Sequence, residues 1–171
     1  MGQIAQDVVI FILVKCASEG YTISEKCGDS MVVTFCGHKD VPCSDKLAAS
    51  LKLVLCNLIT EGADRFLLGG YGAFDSLTAL AVHDLKSEYP HIRSTLVLAY
   101  LDREYNEDLY DDTVYPALEK VPLRYAISRR NEWMVDASDV VVSYVTHSFG
   151  GAATTLRHAE RKHKRIIHLS E

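Results

Sequence analysis

The stretch Asp139-Val-Val-Val-Ser-Tyr144, followed by Ser148-Phe-Gly-Gly151 and then Ala152 to about Lys162, decides the fold. A short β-branched run is a buried strand, a glycine pair turns the chain, and small and polar residues at helical spacing carry it back. The same order occurs at Arg65-Phe-Leu-Leu68, Gly69-Gly-Tyr-Gly72 and a helical pattern from about Asp75 to Glu88, with Leu77, Ala81 and Leu85 on one face. Strand, glycine turn and helix in repetition are the signature of βαβ units and a parallel sheet.

Working outward, Met31-Val-Val-Thr-Phe-Cys36 reads as a first strand. A helix is expected from about Ser44, because Leu47, Leu51, Val54, Leu55 and Leu58 recur at three and four and Gly62 stands where a helix ends. Ser94 to Leu101 reads as a third strand. The segment 102–119, with seven acids and one base, reads as a solvated loop or exposed helix. A short helix from about Arg129 to Ala137 leads into the fourth strand, and Arg165 to Leu169 is the fifth. The expectation is a three-layer α/β, Rossmann-like domain over 31–171 with a mostly parallel sheet. Residues 1–30, with the apolar run Val8 to Val14, read as an N-terminal extension or an added element.

Length and composition agree with one such domain. The chain has 171 residues, 48% of them hydrophobic and 24% charged, which excludes a disordered or low-complexity chain. The formal net charge is −5, giving no general attraction to phosphate backbones or anionic lipid, and on that ground nucleic acid and membrane are not expected as partners. Five cysteines (Cys16, Cys27, Cys36, Cys43 and Cys56) without C-x-x-C spacing read as reduced thiols in a cytoplasm. The seven histidines show no paired ligand spacing, so neither a metal site nor a bound cofactor is expected.

Glycine pairs between a strand and a helix are places where unpaired N–H groups and the helix dipole favour phosphate. The candidate ligand-binding residues are accordingly Gly69, Gly70, Gly72 and Asp75 on one loop and Ser148, Gly150, Gly151, Thr154, Thr155 and Arg157 on the other. Gly37 and His38 follow the first strand, and Arg130 and Asn131 lie on the short helix. Gly69 to Asp75 is no dinucleotide fingerprint, since Asp75 falls where the third glycine belongs, and no Gly-Lys-Ser/Thr loop for ATP occurs. Asp75 can cap its helix or face a reacting centre.

Phe35-Cys-Gly-His-Lys39, Gly69-Gly-Tyr-Gly-Ala-Phe-Asp75, Arg130 to Val142 and Gly150 to Glu160 resemble, in this order, the motifs of the YpsA-like branch of the SLOG superfamily. The resemblance covers about residues 31–169 and implies a Rossmann-like sheet and a nucleotide or nucleotide-derived ligand. This chain departs from the family at Cys36, Lys39 and Ala152, where the family usually has a hydroxyl residue, Arg and Thr. The superfamily's phosphoribohydrolases carry Arg-Lys-x-x-Met and then Gly-Gly-x-Gly-Thr-x-x-Glu. Aligning Met134 places Arg130 on the family Arg, as a phosphate-facing guanidinium; aligning Gly150-Gly151 puts Arg157 where the catalytic Glu stands. Hydrolysis of an N-glycosidic bond would then need a relocated acid, Asp75 or Glu160. Three readings stay open: a nucleotide-binding module, such a hydrolase, and a ligand-free interaction module; a homo-oligomer is compatible with each.

Overall fold

The computed structural model of the chain describes residues 30–42 and 44–170; the expectations for residues 1–29 and Cys43 lie outside them. Six strands form one sheet, β1 Met31–Gly37, β2 Ala63–Leu68, β3 Arg93–Val97, β4 Asp112–Val114, β5 Val140–Tyr144 and β6 Arg165–His168. Their order is β4-β3-β2-β1-β5-β6 and every pairing is parallel. The helices are α1 Asp45–Thr60, α2 Ala73–Leu85, α3 Leu123–Ala137 and α4 Gly150–Arg161, with one 3-10 turn at Glu107–Leu109.

Alternation along β1 builds the layers. Val33 and Phe35 pack with Leu47, Leu51 and Leu55 of α1 and Phe74 and Val82 of α2. Their neighbours Val32 and Cys36 face the other way, to Met134 and Val135 of α3 and Ala159 of α4. Two faces are therefore covered by helices, which is why β1 and β5 are apolar at almost every position. The chain winds from β1 through β2 and β3 to β4 on one side and then crosses over to β5 on the other. The order reverses between β1 and β5, so the chain leaves their carboxyl ends toward helices on opposite faces and a crevice forms above them.

Local chemistry sets the ends. The Ser44 side chain accepts from the Leu47 N–H at 3.1 Å, starting α1, and Gly62 follows it with φ 108°. The expected solvated segment 102–119 contains a strand, β4, and this is a correction to the reading of five strands. Its three residues fall below any sequence periodicity; pairing with β3 and the grip of Asp111 on Lys86 (2.9 Å) and the Ser94 N–H (2.7 Å) supply what propensity does not. Strand three ends at Val97 rather than Leu101, and α3 begins six residues earlier than Arg129. Among the described residues no helix is long and apolar enough to cross a membrane.

Candidate functional site

A cleft of about 430 Å³ opens at the reversal point, lined from β1 and its loop, the β2–α2 loop, α3, and the β5–α4 loop. Nine of the sequence-predicted residues meet there: Gly37, His38, Gly69, Asp75, Arg130, Asn131, Gly150, Gly151 and Thr155. Its walls also include Lys39, where the family resemblance has Arg, and Asp40, Tyr71, His147 and Phe149, which were not among the candidate residues.

Arg130 is the largest side chain buried to this depth, 2% exposed. Its Nη1 donates to the carbonyls of Val97 (2.8 Å) and Gly69, joining the carboxyl ends of β3 and β2, and its Nε donates to Asn131 Oδ1 at 2.8 Å. Asn131 Nδ2 continues to Thr155 Oγ1 at 3.3 Å, and Thr155 donates to the Gly151 carbonyl at 3.0 Å. A polar chain thus runs beneath the cleft from β2 and β3 through α3 to α4. The expectation of a guanidinium free to face phosphate is corrected to this extent: three of its five N–H donors are spent on the protein. Nη2 has no protein acceptor among the described residues.

Asp75 sits in the first turn of α2 and reaches back, its Oδ2 accepting from the Tyr71 N–H at 3.0 Å. Burial raises its carboxyl above the ordinary aspartate range, against the opposing pull of Arg130 and the Tyr71 N–H. Asp75 and Arg130 close around Gly69: a Cβ there would stand 2.6 Å from Asp75 Oδ2 and 2.8 Å from Arg130 Nη1. Burial, and to a lesser degree Asp75, also pushes the nearby Tyr110 hydroxyl up to about 12. Cys36 is likewise held up at about 12 by burial, so its thiol is inert beside the Ala152 carbonyl.

His38 leaves the end of β1 with Nε2 accepting from the backbone N–H of Thr146 (3.1 Å) and His147 (3.4 Å). An acceptor Nε2 requires the proton on Nδ1, and burial, with His147 next to it, lowers the pKa of the ring. The His147 ring stacks on His38 with centroids 3.5 Å apart, and Phe149 stacks on His147 at 4.0 Å. The β5–α4 loop is therefore held to the β1 loop by a ring column and two hydrogen bonds. No sequence spacing announces it, because residues 38 and 147 meet only when β1 and β5 pair.

α4 begins at Gly150 with φ 86° and no side chain caps it. Nothing lies within 4 Å of where a Cβ on Gly150 or Gly151 would stand, so the first turn opens on the cleft. The remaining candidates have other tasks. Gly72, φ 100°, lets the backbone approach Lys39 Cα, and its neighbour's Ala73 N–H donates to the Lys39 carbonyl at 2.8 Å. Gly70 packs against Leu96 and Tyr105. Arg157 clamps the loop before α4, donating to the Ser148 carbonyl at 2.9 Å and to Thr154 Oγ1 at 3.1 Å. These residues and Glu160, exposed late in α4, are not among those lining the cleft.

No family model matches the chain. The uncharacterized SPbeta prophage-derived protein YoqJ of Bacillus subtilis (strain 168) is 26% identical over 139 residues, 68% of this chain and 81% of that protein. DNA processing protein A of Helicobacter pylori aligns with TM-score 0.60 at 16% identity, over 82% of this chain and 66% of that one. The molybdenum cofactor binding protein of Rippkaea orientalis aligns with TM-score 0.56 at 16% identity, over 81% and 76%. These likenesses show a Rossmann-like fold. They also correct the expectation on nucleic acid: the Helicobacter protein is described by its single-stranded DNA binding mode, so the fold hosts such a partner and an acidic net charge is no ground for setting it aside.

Proposed function

We propose that the chain binds a nucleotide or nucleotide-derived ligand in the crevice between β1 and β5, as a YpsA-like SLOG protein. The observation that carries this reading is the start of α4: Gly150, Gly151 and Ala152 of its first turn line the cleft, with no capping side chain and open space where a Cβ on either glycine would stand. Such a turn presents N–H donors and the positive end of the helix dipole to an anion. Buried Arg130 adds a cation whose Nη2 has no protein acceptor among the described residues. Lys39 adds a second cation at the rim. The free thiols of Cys36 and Cys56 fit a reducing compartment such as the cytoplasm.

Thermal unfolding against AMP, GMP, ADP-ribose, NAD and inorganic phosphate tests it. A ligand at about 100 times its dissociation constant adds roughly 2.7 kcal/mol, raising the midpoint of a domain this size by about 5 to 10 °C. A shift with none of them, phosphate included, refutes the reading. Asp75 supports a second one: a carboxyl of raised pKa in the same cleft can act as the acid in cleaving an N-glycosidic bond. Free base released from a nucleoside monophosphate by the wild type and not by Asp75→Asn supports turnover; no release at high protein concentration excludes it.

A further inference from the structure

The ring column at the mouth of the cleft has an exposed outer end, Phe149. His38 is the buried base, fixed by the Thr146 and His147 amides that it accepts. His147 lies on it at 22° and Phe149 lies on His147 at 19°, both in stacked geometry. His147 Nδ1 is 3.0 Å from the Phe149 carbonyl, which ties the two outer residues together. Phe149 is 70% exposed although one ring face is covered, so the exposure belongs to its other face. Its ring lines the cleft, and the next residue along the chain is Gly150, the first of α4.

A phenyl ring held rigid in water at a cleft mouth contributes nothing to the core, yet its orientation is fixed by two rings and three polar contacts. Rigid aromatic faces of this kind gain by accepting another flat ring, because offset stacking removes apolar area from water without ordering a flexible chain. We propose that a planar heteroaromatic ring of the ligand, the base of a nucleotide, stacks on Phe149 as the fourth ring of this column, while its phosphate takes the first turn of α4. The proposal rests on the nucleotide reading above and names the group that gives it selectivity. Ring and phosphate stations are adjacent in the chain, so one ordered loop sets the distance between them. Recognition by stacking tolerates any base and favours the larger purine surface.

The experiment is titration of the full chain, as wild type, Phe149→Ala, Phe149→Leu and Phe149→Trp, with AMP, GMP, CMP and UMP. Ribose 5-phosphate, which keeps the phosphate and lacks the ring, is titrated alongside. Since Phe149 is largely exposed, all four proteins are expected to keep their unfolding midpoints. Phe149→Ala and Phe149→Leu are expected to lose about 5- to 150-fold in affinity for AMP and GMP. Phe149→Trp retains it, and ribose 5-phosphate binds all four alike. Leu separates stacking from mere hydrophobic cover, since it keeps apolar bulk and has no π-face.

Unchanged AMP and GMP affinity in Phe149→Ala overturns the stacking and leaves the nucleotide reading standing. Equal losses for AMP and ribose 5-phosphate also overturn it, because Phe149 would then only shape the loop. A change of association state with nucleotide binding intact assigns the ring to a protein contact instead. Wild-type protein that binds no nucleoside monophosphate overturns the stacking of a monophosphate base, and it removes the nucleotide reading too only when ADP-ribose, NAD and phosphate also leave the unfolding midpoint unmoved.

Discussion

Replacing Arg130 by Met tests the polar chain beneath the cleft. Methionine keeps most of the buried stem's volume, so the loss is in hydrogen bonds rather than packing. The carbonyls of Gly69 and Val97, both on buried residues, lose a charged donor each, and Asn131 Oδ1 loses a third bond. Hydrogen bonds to charged groups are worth about 1.5 to 3 kcal/mol, and removing one partner of a buried polar cluster costs about 3 to 5 kcal/mol in all. At roughly 2 to 4 °C per kcal/mol for this size, Arg130→Met should melt about 6 to 20 °C below wild type. Urea unfolding followed by circular dichroism gives the free energy directly. Asp75 supplies the internal control: without Arg130 its buried carboxyl lacks the one cation that opposes burial. Adding Asp75→Asn to Arg130→Met should therefore recover part of the loss, with a coupling of about 0.5 to 3 kcal/mol. An Arg130→Met protein within about 0.5 kcal/mol of wild type would refute the account, since charge-assisted bonds to buried carbonyls cannot be that cheap to remove. Arg130→Lys should fall in between, because one ammonium cannot span both carbonyls and Asn131.

His38 is held neutral with a pKa below its ordinary value, so the native state resists protonation more than the unfolded chain does. Its contribution to stability is full above pH of about 6.5 and declines as pH falls toward the depressed native value, and a plot of melting midpoint against pH should lose that component in His38→Gln. Gly37→Ala would drive a Cβ against Cδ1 and Cγ of the buried Phe74 ring and to 2.8 Å from its Cβ, costing about 1 to 3 kcal/mol in urea unfolding. Ser44→Ala removes the hydroxyl that caps α1 at 3.1 Å and should cost about 1 kcal/mol, or roughly 2 to 4 °C in melting midpoint; no change would mean that α1 is held by packing alone. Arg157→Ala, which frees the Ser148 carbonyl at the surface, should leave stability within about 1 kcal/mol but weaken phosphate binding by loosening the loop ahead of α4; tighter binding would contradict a clamp.

The fold was legible because its signals are local. Short, mostly apolar and β-branched segments at 31–36, 65–68 and 139–144, each followed by a turn and a helical period, are the pattern of strands buried on both faces. β4 was not legible, because three residues with acidic flanks carry no period and become a strand only against β3. The extra length of α3 was hidden for a related reason: the part before Arg129 is largely exposed, and exposed residues leave no apolar stripe to count.

The site divides along the same line. The sequence determined which loops would meet, since every βα loop of a parallel sheet leaves from the carboxyl edge, and it therefore placed Gly37, Gly69, Asp75 and Gly150 around one cleft. What each side chain does there was decided by tertiary structure. Arg130 ties two strand ends, Arg157 clamps a loop away from the cleft, and His38 founds a ring column with residues more than a hundred positions away. Hydrogen bonds of buried groups are satisfied by whichever partners the strand order brings near, and that order is a property of the sheet, which no short window of sequence contains.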